Sequence, residues 1–295
     1  MAKRTVEQGF VQLLKNVEAL KGAQSKVKKH KDSVKNCLYE KLGCVFLPET
    51  GSFGNGTEVR HHSDSDFFAV LPKKEASNDS NYVLRKVKNA LKGRFSTTSE
   101  ISIDCPSVKI PFGYYASETM EITPCYIDSN QRIGHKSYRV YGIPDYKEGW
   151  MFSSPQVHNY YVKQNDIRLH FRLKPLIKLV KTWKYYNKVR LHSFYLELRC
   201  TKAMHEEKII YSFDSYLLKS LKYLKLCKLA KIQDPMGISG LVASSKTDNQ
   251  KEGAWSKLNT AVSRAEKAVA ARKKGDIDKA FEEWDKFFNG KFPKR

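Results

Sequence analysis

Apolar positions in the first forty residues follow a helical period. Val6, Phe10, Leu13, Val17, Leu20, Val27, Val34 and Leu38 recur in steps of three and four, with gaps at 24 and 31. That pattern predicts one helix over residues 5–42, stopped at Gly43. Its other faces carry Lys26, Lys28, Lys29, Lys31 and Lys35. The period then shortens. Residues 44–48 are a brief apolar piece leading to a Gly-Ser turn, and residues 66–71 read as a strand. A polar loop over 72–81 precedes a helix over 82–91, ended by Gly93. Extended pieces follow at 101–104, 108–112 and 120–127, and a fourth, 138–143, ends at Pro144. Their alternation of polar and apolar residues predicts antiparallel or mixed pairing.

From Trp150 the character becomes helical. Ser154-Pro155 marks a helix start, and Pro175 sits in the first turn of a helix reaching residue 188, with Leu176, Ile177, Val180 and Trp183 on its apolar side. Lys174, Lys178, Lys181 and Lys188 form a stripe on the same helix. Further helices are predicted from His192-Ser193 and over 212–229, 254–274 and 277–288, with Asp234-Pro235-Met236-Gly237 and a polar loop at 244–253 as breaks. The class expected is therefore α+β. A lobe with a mixed sheet over residues 1–145 includes the N-terminal helix, which acts as a spine across both lobes. A helical lobe covers residues 146–295.

Composition adds one strong signal. The 295 residues carry 53 Lys plus Arg against 31 Asp plus Glu, a formal net charge of +22. Such an excess points to a polyanionic partner: nucleotides, nucleic acid or an acidic surface. The six cysteines, Cys37, Cys44, Cys105, Cys125, Cys200 and Cys227, are scattered without a Cys-x-x-Cys pair. That argues against a zinc site and for reduced, mostly buried thiols. The adjacent His61 and His62 point apart on an extended chain and read as a loop beside a polar site. No stretch approaches the ~18–20 apolar residues of a membrane span, and the first residues lack the apolar core of a signal peptide. A cytoplasmic protein is expected.

The chemistry concentrates in Gly51-Ser52-Phe53-Gly54-Asn55-Gly56-Thr57 and in Asp64-Ser65-Asp66, which runs into Phe67-Phe68-Ala69-Val70-Leu71. Residues i and i+2 of a strand share a face, so Asp64 and Asp66 present two carboxylates to one point. Mg²⁺ is typically held by one or two carboxylates together with substrate phosphates. The backbone N–H groups of a Gly-rich turn, with Ser52, can cradle a phosphate beside it. An Asp-x-Asp alone also occurs as an exposed pair at a strand edge. The upstream Gly-Ser and the apolar run behind it favour a nucleotidyltransferase site. Asp104, Glu121 and Asp128 lie in extended pieces that can bring a third carboxylate alongside.

These residues resemble a known family. Gly51-Ser52 with Asp64-x-Asp66 is similar to the polymerase-β-type nucleotidyltransferase signature. Glu121-Ile122-Thr123-Pro124 resembles the strand that delivers the third acid in oligoadenylate synthetases and cGAS/DncV-like enzymes. Trp150-Met151-Phe152-Ser153-Ser154-Pro155 with His158, then residues 174–183 with Lys181-Thr182-Trp183, then Ser193-Phe194-Tyr195-Leu196-Glu197, follow the order of the bacterial CD-NTases, the signalling-nucleotide synthases of CBASS antiphage systems. The resemblance spans roughly residues 45–290. It departs at the third acid, where many relatives carry aspartate and this chain has Glu121, with Asp104 as a rival.

The resemblance implies a metal-dependent enzyme in which a ribose hydroxyl attacks the α-phosphorus of an NTP and pyrophosphate leaves. Asp64, Asp66 and Glu121 would be catalytic and would bind Mg²⁺, with Mn²⁺ as the alternative. Gly51 and Ser52 would contact the β/γ-phosphates. Lys181 and Ser193 would bind the triphosphate from the helical lobe, and Phe194 or Tyr195 would stack on a base. Read from the residues alone, Lys181 is an exposed helix lysine, Ser193 an N-cap, and the two aromatics core. The function expected is synthesis of a cyclic di- or trinucleotide, the product rather than the protein reaching a downstream effector. One alternative is a template-independent nucleotidyltransferase acting on RNA ends. The other is an inactive nucleic-acid-binding module, against which the intact Asp pair argues. The excess charge at Lys26–Lys35 and at Lys219, Lys222, Lys225 and Lys228 further predicts a structured-RNA activator on a basic surface.

Overall fold

The structure is a computed structural model. It describes residues 3–18, 21–60, 62, 64–98, 100–112, 118–146, 149–208 and 211–295, with the side chains of 21–29 and 118 excepted. In chain order the elements are α1 (Val6–Asn16), α2 (Lys21–Leu42), α3 (Gly51–Asn55), β1 (Ser65–Val70), a 3-10 turn (Lys73–Glu75), α4 (Ser80–Arg94), β2 (Ser102–Asp104), β3 (Ser107–Phe112), β4 (Glu118–Ile133), β5 (Lys136–Pro144) and β6 (Trp150–Ser153). They continue with α5 (Pro155–Arg168), α6 (Leu173–Tyr186), α7 (Ser193–Ala203), α8 (Phe213–Leu226), β7 (Ile232–Gln233), β8 (Leu241–Val242), α9 (Asp248–Lys273) and α10 (Ile277–Phe287). The class is α+β, as the pattern predicts. No helix of the described residues is long and apolar enough to cross a membrane.

The chain divides into two compact units. One comprises Ala19–Tyr160 with Met236–Gly240; the other comprises Met1–Glu18, Tyr161–Pro235 and Leu241–Arg295. This division differs from the expected one at both ends. The stretch read as one helix over 5–42 is two, because α1 ends at Asn16 with Val17 as its C-cap. Leu20, from the expected apolar ridge, lies outside the described residues, as does the side chain of Val27. The later boundary moves from 145 to Tyr160 because Trp150–Ser153, read as the start of helical sequence, is the strand β6 paired with β5.

In the first unit the strands run in the order β2-β3-β4-β5-β6, and β1 pairs with β4. β1 is parallel to β4, and the other pairings are antiparallel. Alternation along β1 and β4 sorts the side chains to two faces. Phe67 and Ala69, with Met120 and Ile122, pack with Val34 and Leu38 of α2 and with Val83, Leu84, Val87 and Leu91 of α4. Phe68, Val70 and Cys125 join Tyr141 and Ile143 on the opposite face. Phe68 and Val70 share their face with Asp66, so the acidic position belongs to the side away from α2 and α4. The helix α4 begins one residue before Asn81, with Asp79 capping the Asn81 N–H at 2.8 Å, and runs through Gly93 to Arg94.

The second unit is helical apart from the short antiparallel pair β7/β8. The carboxylate of Glu7 on α1 accepts two hydrogen bonds from Arg172 (2.7 and 2.9 Å) and one from the Phe213 N–H (2.8 Å). These contacts fasten α1 to the starts of α6 and α8. Phe10 packs edge-on against Trp284 and Phe292, with ring centroids 5.0 and 5.1 Å apart. A Cβ on Gly9 would come within 2.9 Å of Phe292, so the bare helix surface there lets the aromatic ring approach. The loop predicted at 244–253 is shorter than expected, because α9 starts at Asp248 behind its N-cap Thr247. All six cysteines are free thiols.

Candidate active site

The segment before β1 positions the first part of the site. Its backbone lies along β1, with Val45 N–H donating to Val70 O at 2.8 Å, Phe68 N–H to Pro48 O at 3.0 Å, and Thr50 N–H to Asp66 O at 2.8 Å. This strip delivers Gly51 directly over Asp66. The predicted Gly-Ser turn is the start of the five-residue helix α3, which Gly56 closes in the left-handed region at φ 69°. Gly51 itself has φ +58°, and a Cβ there would stand 1.9 Å from Asp66 Oδ2. Only glycine satisfies both the backbone and the space above that carboxylate. Asn159 of α5 donates to Gly54 O at 3.0 Å and holds α3 from the other side.

β4 brings the third acid. Asp66 and Glu121 are direct register partners across the parallel pair β1/β4. Glu121 is in turn the partner of Lys109 across the antiparallel pair β3/β4. Asp66, Glu121 and Lys109 therefore make one cross-strand row on the polar face. Lys109 Nζ donates to Glu121 Oε1 at 2.9 Å and to Asp104 Oδ2 at 3.1 Å. Burial alone would lower the Lys109 pKa, but the hydrogen bonds and charges of Glu121 and Asp104 outweigh it and raise the value above that of an ordinary lysine. Beside this row the buried hydroxyls of Ser107 and Thr123 are hydrogen-bonded at 2.8 Å. Asp64 lies one residue before β1, two positions from Asp66. Asp104, the rival acid, stands on β2, two strands away from β4. Asp128 is exposed, at the register shift where β4 pairs with β5. Of the two histidines near the Asp pair, His61 lies outside the described residues.

The donor chemistry suits a divalent cation such as Mg²⁺. Carboxylate oxygens are hard ligands, and the missing Cβ of Gly51 lets the turn approach the Asp66 carboxylate closely. Among the described residues no group of three or more His, Cys, Asp or Glu side chains already converges as a metal cluster. Glu121 is instead turned to Lys109.

In the helical unit, the residues expected to meet a triphosphate are placed by α6 and α7. Lys181 is wholly buried and donates to Glu197 Oε1 at 3.0 Å. The anticipated lysine stripe is thus broken. Lys174 and Lys178 are half-buried, Lys181 is inside, and Lys188 is exposed beyond the end of α6. Ser193 is the first residue of α7 rather than its N-cap, a position taken by His192. Its hydroxyl accepts from Lys184 Nζ at 2.8 Å and lies 3.4 Å from the Tyr185 hydroxyl. Phe194 is half-buried. Tyr195 is core, its hydroxyl donating to Ala230 O at 2.9 Å and accepting from Arg199 Nε at 3.1 Å. Residue-level reading passed over Lys109 and Lys184. Lys109 alone had a sequence signal, a cation between Val108 and Ile110 on the polar side of an alternating strand.

The lysines of the expected basic surface are partly engaged. Lys219 pairs with Glu207, Lys222 with Glu266 at 2.8 Å, and Lys31 lies over the Phe67 ring at 5.3 Å. The side chains of Lys26, Lys28 and Lys29 lie outside the described ones.

The fold is that of the solved CD-NTases, as the motifs predict. The chain is 24% identical over 314 residues to the cyclic AMP-AMP-AMP synthase of an Acinetobacter species, covering 98% of this chain and 86% of that protein. It superposes on E. coli MS115-1 CdnC, solved with ATP, with a TM-score of 0.75 over 97% of this chain and 98% of the other, at 16% identity. The Bradyrhizobium diazoefficiens CD-NTase CdnG, solved with GTP, follows at a TM-score of 0.69 and 10% identity over 95% and 98%. No family model matches the chain.

Proposed function

We propose that this chain is a nucleotidyltransferase that joins NTPs into a cyclic di- or trinucleotide. The observation that carries the reading is Asp66 opposite Glu121 on parallel strands, against a glycine where any Cβ would collide with the Asp66 carboxylate. A curated relative that is a cyclic AMP-AMP-AMP synthase, and similar folds solved with ATP and GTP, support the same chemistry. A role in CBASS defence and activation by RNA belong to the proposal through the family resemblance and the charge of +22.

In the proposed step a ribose hydroxyl oxygen forms a bond to the α-phosphorus of an NTP. The bond from that phosphorus to the bridging oxygen breaks, and pyrophosphate leaves with the electron pair. The hydroxyl proton passes to Glu121, the acid that faces Asp66 across β1 and β4. The same step repeats until the linear product holds two or three nucleotides, and a last such step within it closes the ring with loss of a further pyrophosphate. Asp64, Asp66 and Glu121 would hold Mg²⁺ or Mn²⁺, which when bound supplies positive charge to the attacking and leaving oxygens. Gly51 and Ser52 contact the β/γ-phosphates, Lys181 and Ser193 the triphosphate, and Phe194 a base. For Lys181 this role requires exchange of Glu197 for phosphate.

The test is incubation with all four NTPs and Mg²⁺, with and without structured RNA, followed by phosphatase treatment. A phosphatase-resistant cyclic product that Asp64→Asn/Asp66→Asn abolishes without lowering the melting temperature is the expected result. Extension of the RNA ends would replace the cyclase reading with an RNA-end nucleotidyltransferase. No turnover under either condition, or wild-type turnover in the double variant, would overturn the active-site assignment.

A further inference from the structure

We propose that Lys109 is a resident counter-cation of the acidic row, and that a divalent cation reaching Glu121 must displace its ammonium. The inference rests on the metal-site reading above and adds a residue to it. Lys109 comes from β3, a strand outside the Gly-Ser, Asp-x-Asp and third-acid segments. It faces Glu121 in register and meets two carboxylates at once, Glu121 at 2.9 Å and Asp104 at 3.1 Å. Its side chain is 33% exposed and that of Glu121 21%, so the pair is better shielded than one at a fully wet surface. Attraction between charges grows as water is excluded.

The physical logic is one of exchange. Asp66 and Glu121 are adjacent in register on one face, with Asp64 two residues from Asp66. Like charges so placed repel unless a cation sits among them. Lys109 supplies a cation to the Glu121 end of this row in the protein alone and holds the Glu121 carboxylate. A divalent cation competes for the same oxygen, so part of its binding free energy goes into breaking the Lys109–Glu121 contact. Lys109 thereby sets the metal concentration at which the site loads. Asp104 gives the displaced ammonium a second carboxylate to remain with, which keeps the exchange local.

The experiment measures Mn²⁺ binding to the full-length protein by electron paramagnetic resonance, without nucleotide. Lys109→Met should tighten binding roughly threefold to tenfold, the range for loss of a half-shielded ion-pair competitor. Lys109→Gln provides a second neutral variant, and circular dichroism confirms the folded state of each. Lys109→Arg keeps the charge and should stay within about twofold of wild type. Long-range charge alone would also favour Mn²⁺ in the neutral variants, so the comparison is repeated in a Glu121→Gln background. There the gain should shrink to about twofold or less, because the shared oxygen is gone. Unchanged or weaker binding in both neutral variants, a gain in Lys109→Arg equal to that in Lys109→Met, or an equal gain in both backgrounds overturns the proposal. Failure of the underlying reading is distinguishable: in that case Asp64→Asn/Asp66→Asn leaves Mn²⁺ binding intact.

Discussion

Asp66 and Glu121, 55 positions apart in the sequence, face each other on adjacent parallel strands as Cα register partners. The pairing follows from two patterns that meet. Phe67 and Ala69 seek the core under α2 and α4, as do Met120 and Ile122, which turns Asp66 and Glu121 together to the other face. A slip of one residue in either strand would separate the carboxylates and turn the one on the shifted strand toward the core under α2 and α4.

This geometry separates the two candidate third acids. Glu121→Gln should reduce cyclic-nucleotide synthesis by about a hundredfold or more, as expected for loss of a group acting at the reacting atoms. Asp104→Asn, two strands away at β2, should cost less than about tenfold. Initial rates at saturating NTP decide between them, and the reverse ranking would remove Glu121 from its assigned role.

Gly51 admits no side chain. Gly51→Ala places a Cβ 1.9 Å from Asp66 Oδ2 at φ +58°. The left-handed backbone alone should cost about 1–2 kcal/mol, and the displaced carboxylate should remove synthesis. Urea unfolding and product assay read the two effects independently. A variant that keeps both stability and rate would show that the close approach is dispensable.

The buried Lys181–Glu197 pair should behave as a unit. Lys181→Met leaves Glu197 charged and buried and should cost about 3–5 kcal/mol, whereas Lys181→Met with Glu197→Leu should recover most of that loss. Chemical denaturation of the three proteins tests the cycle. NTP binding by the double variant then tests whether Lys181 contributes to the triphosphate site once stability is restored.

Burial raises the Cys44 thiol to about 11 and the Cys200 thiol to about 12, since both resist becoming thiolates inside the protein. A folded-state value above the unfolded one means that the stabilising effect is complete below the ordinary thiol range and is lost as pH rises through the folded values. Stability attributable to these groups should therefore be level below pH 9 and fall toward pH 11–12. Substituting both by Ala or Ser should flatten that alkaline decline in thermal melts. Consistent with burial, iodoacetamide at pH 8 should label the half-buried Cys105 and Cys227 ahead of Cys37, Cys44, Cys125 and Cys200.

Much of this protein was written locally. Gly51-Ser52, Asp64-x-Asp66 and the Phe-Phe-Ala-Val-Leu run carry their meaning within twenty residues, because turn chemistry and strand alternation act over short separations. The α+β class, the strands at 101–127 and the later helices follow from periodicity alone. Tertiary structure decided the rest. Periodicity cannot tell whether two helical stretches share an axis. Phe10 finds its core against Trp284 of α10, while Val34 and Leu38 find theirs with Phe67 and Ala69 of β1 and Met120 and Ile122 of β4, and the helix read as one is two. A lysine stripe read from spacing likewise does not reveal that Lys181 turns inward, because only the opposing helix supplies Glu197. The choice of Glu121 to face Asp66, and the ammonium of Lys109 across from it, depend on strand register. Register is fixed by which faces are buried once the sheet has assembled, a property of the folded chain that no single segment contains.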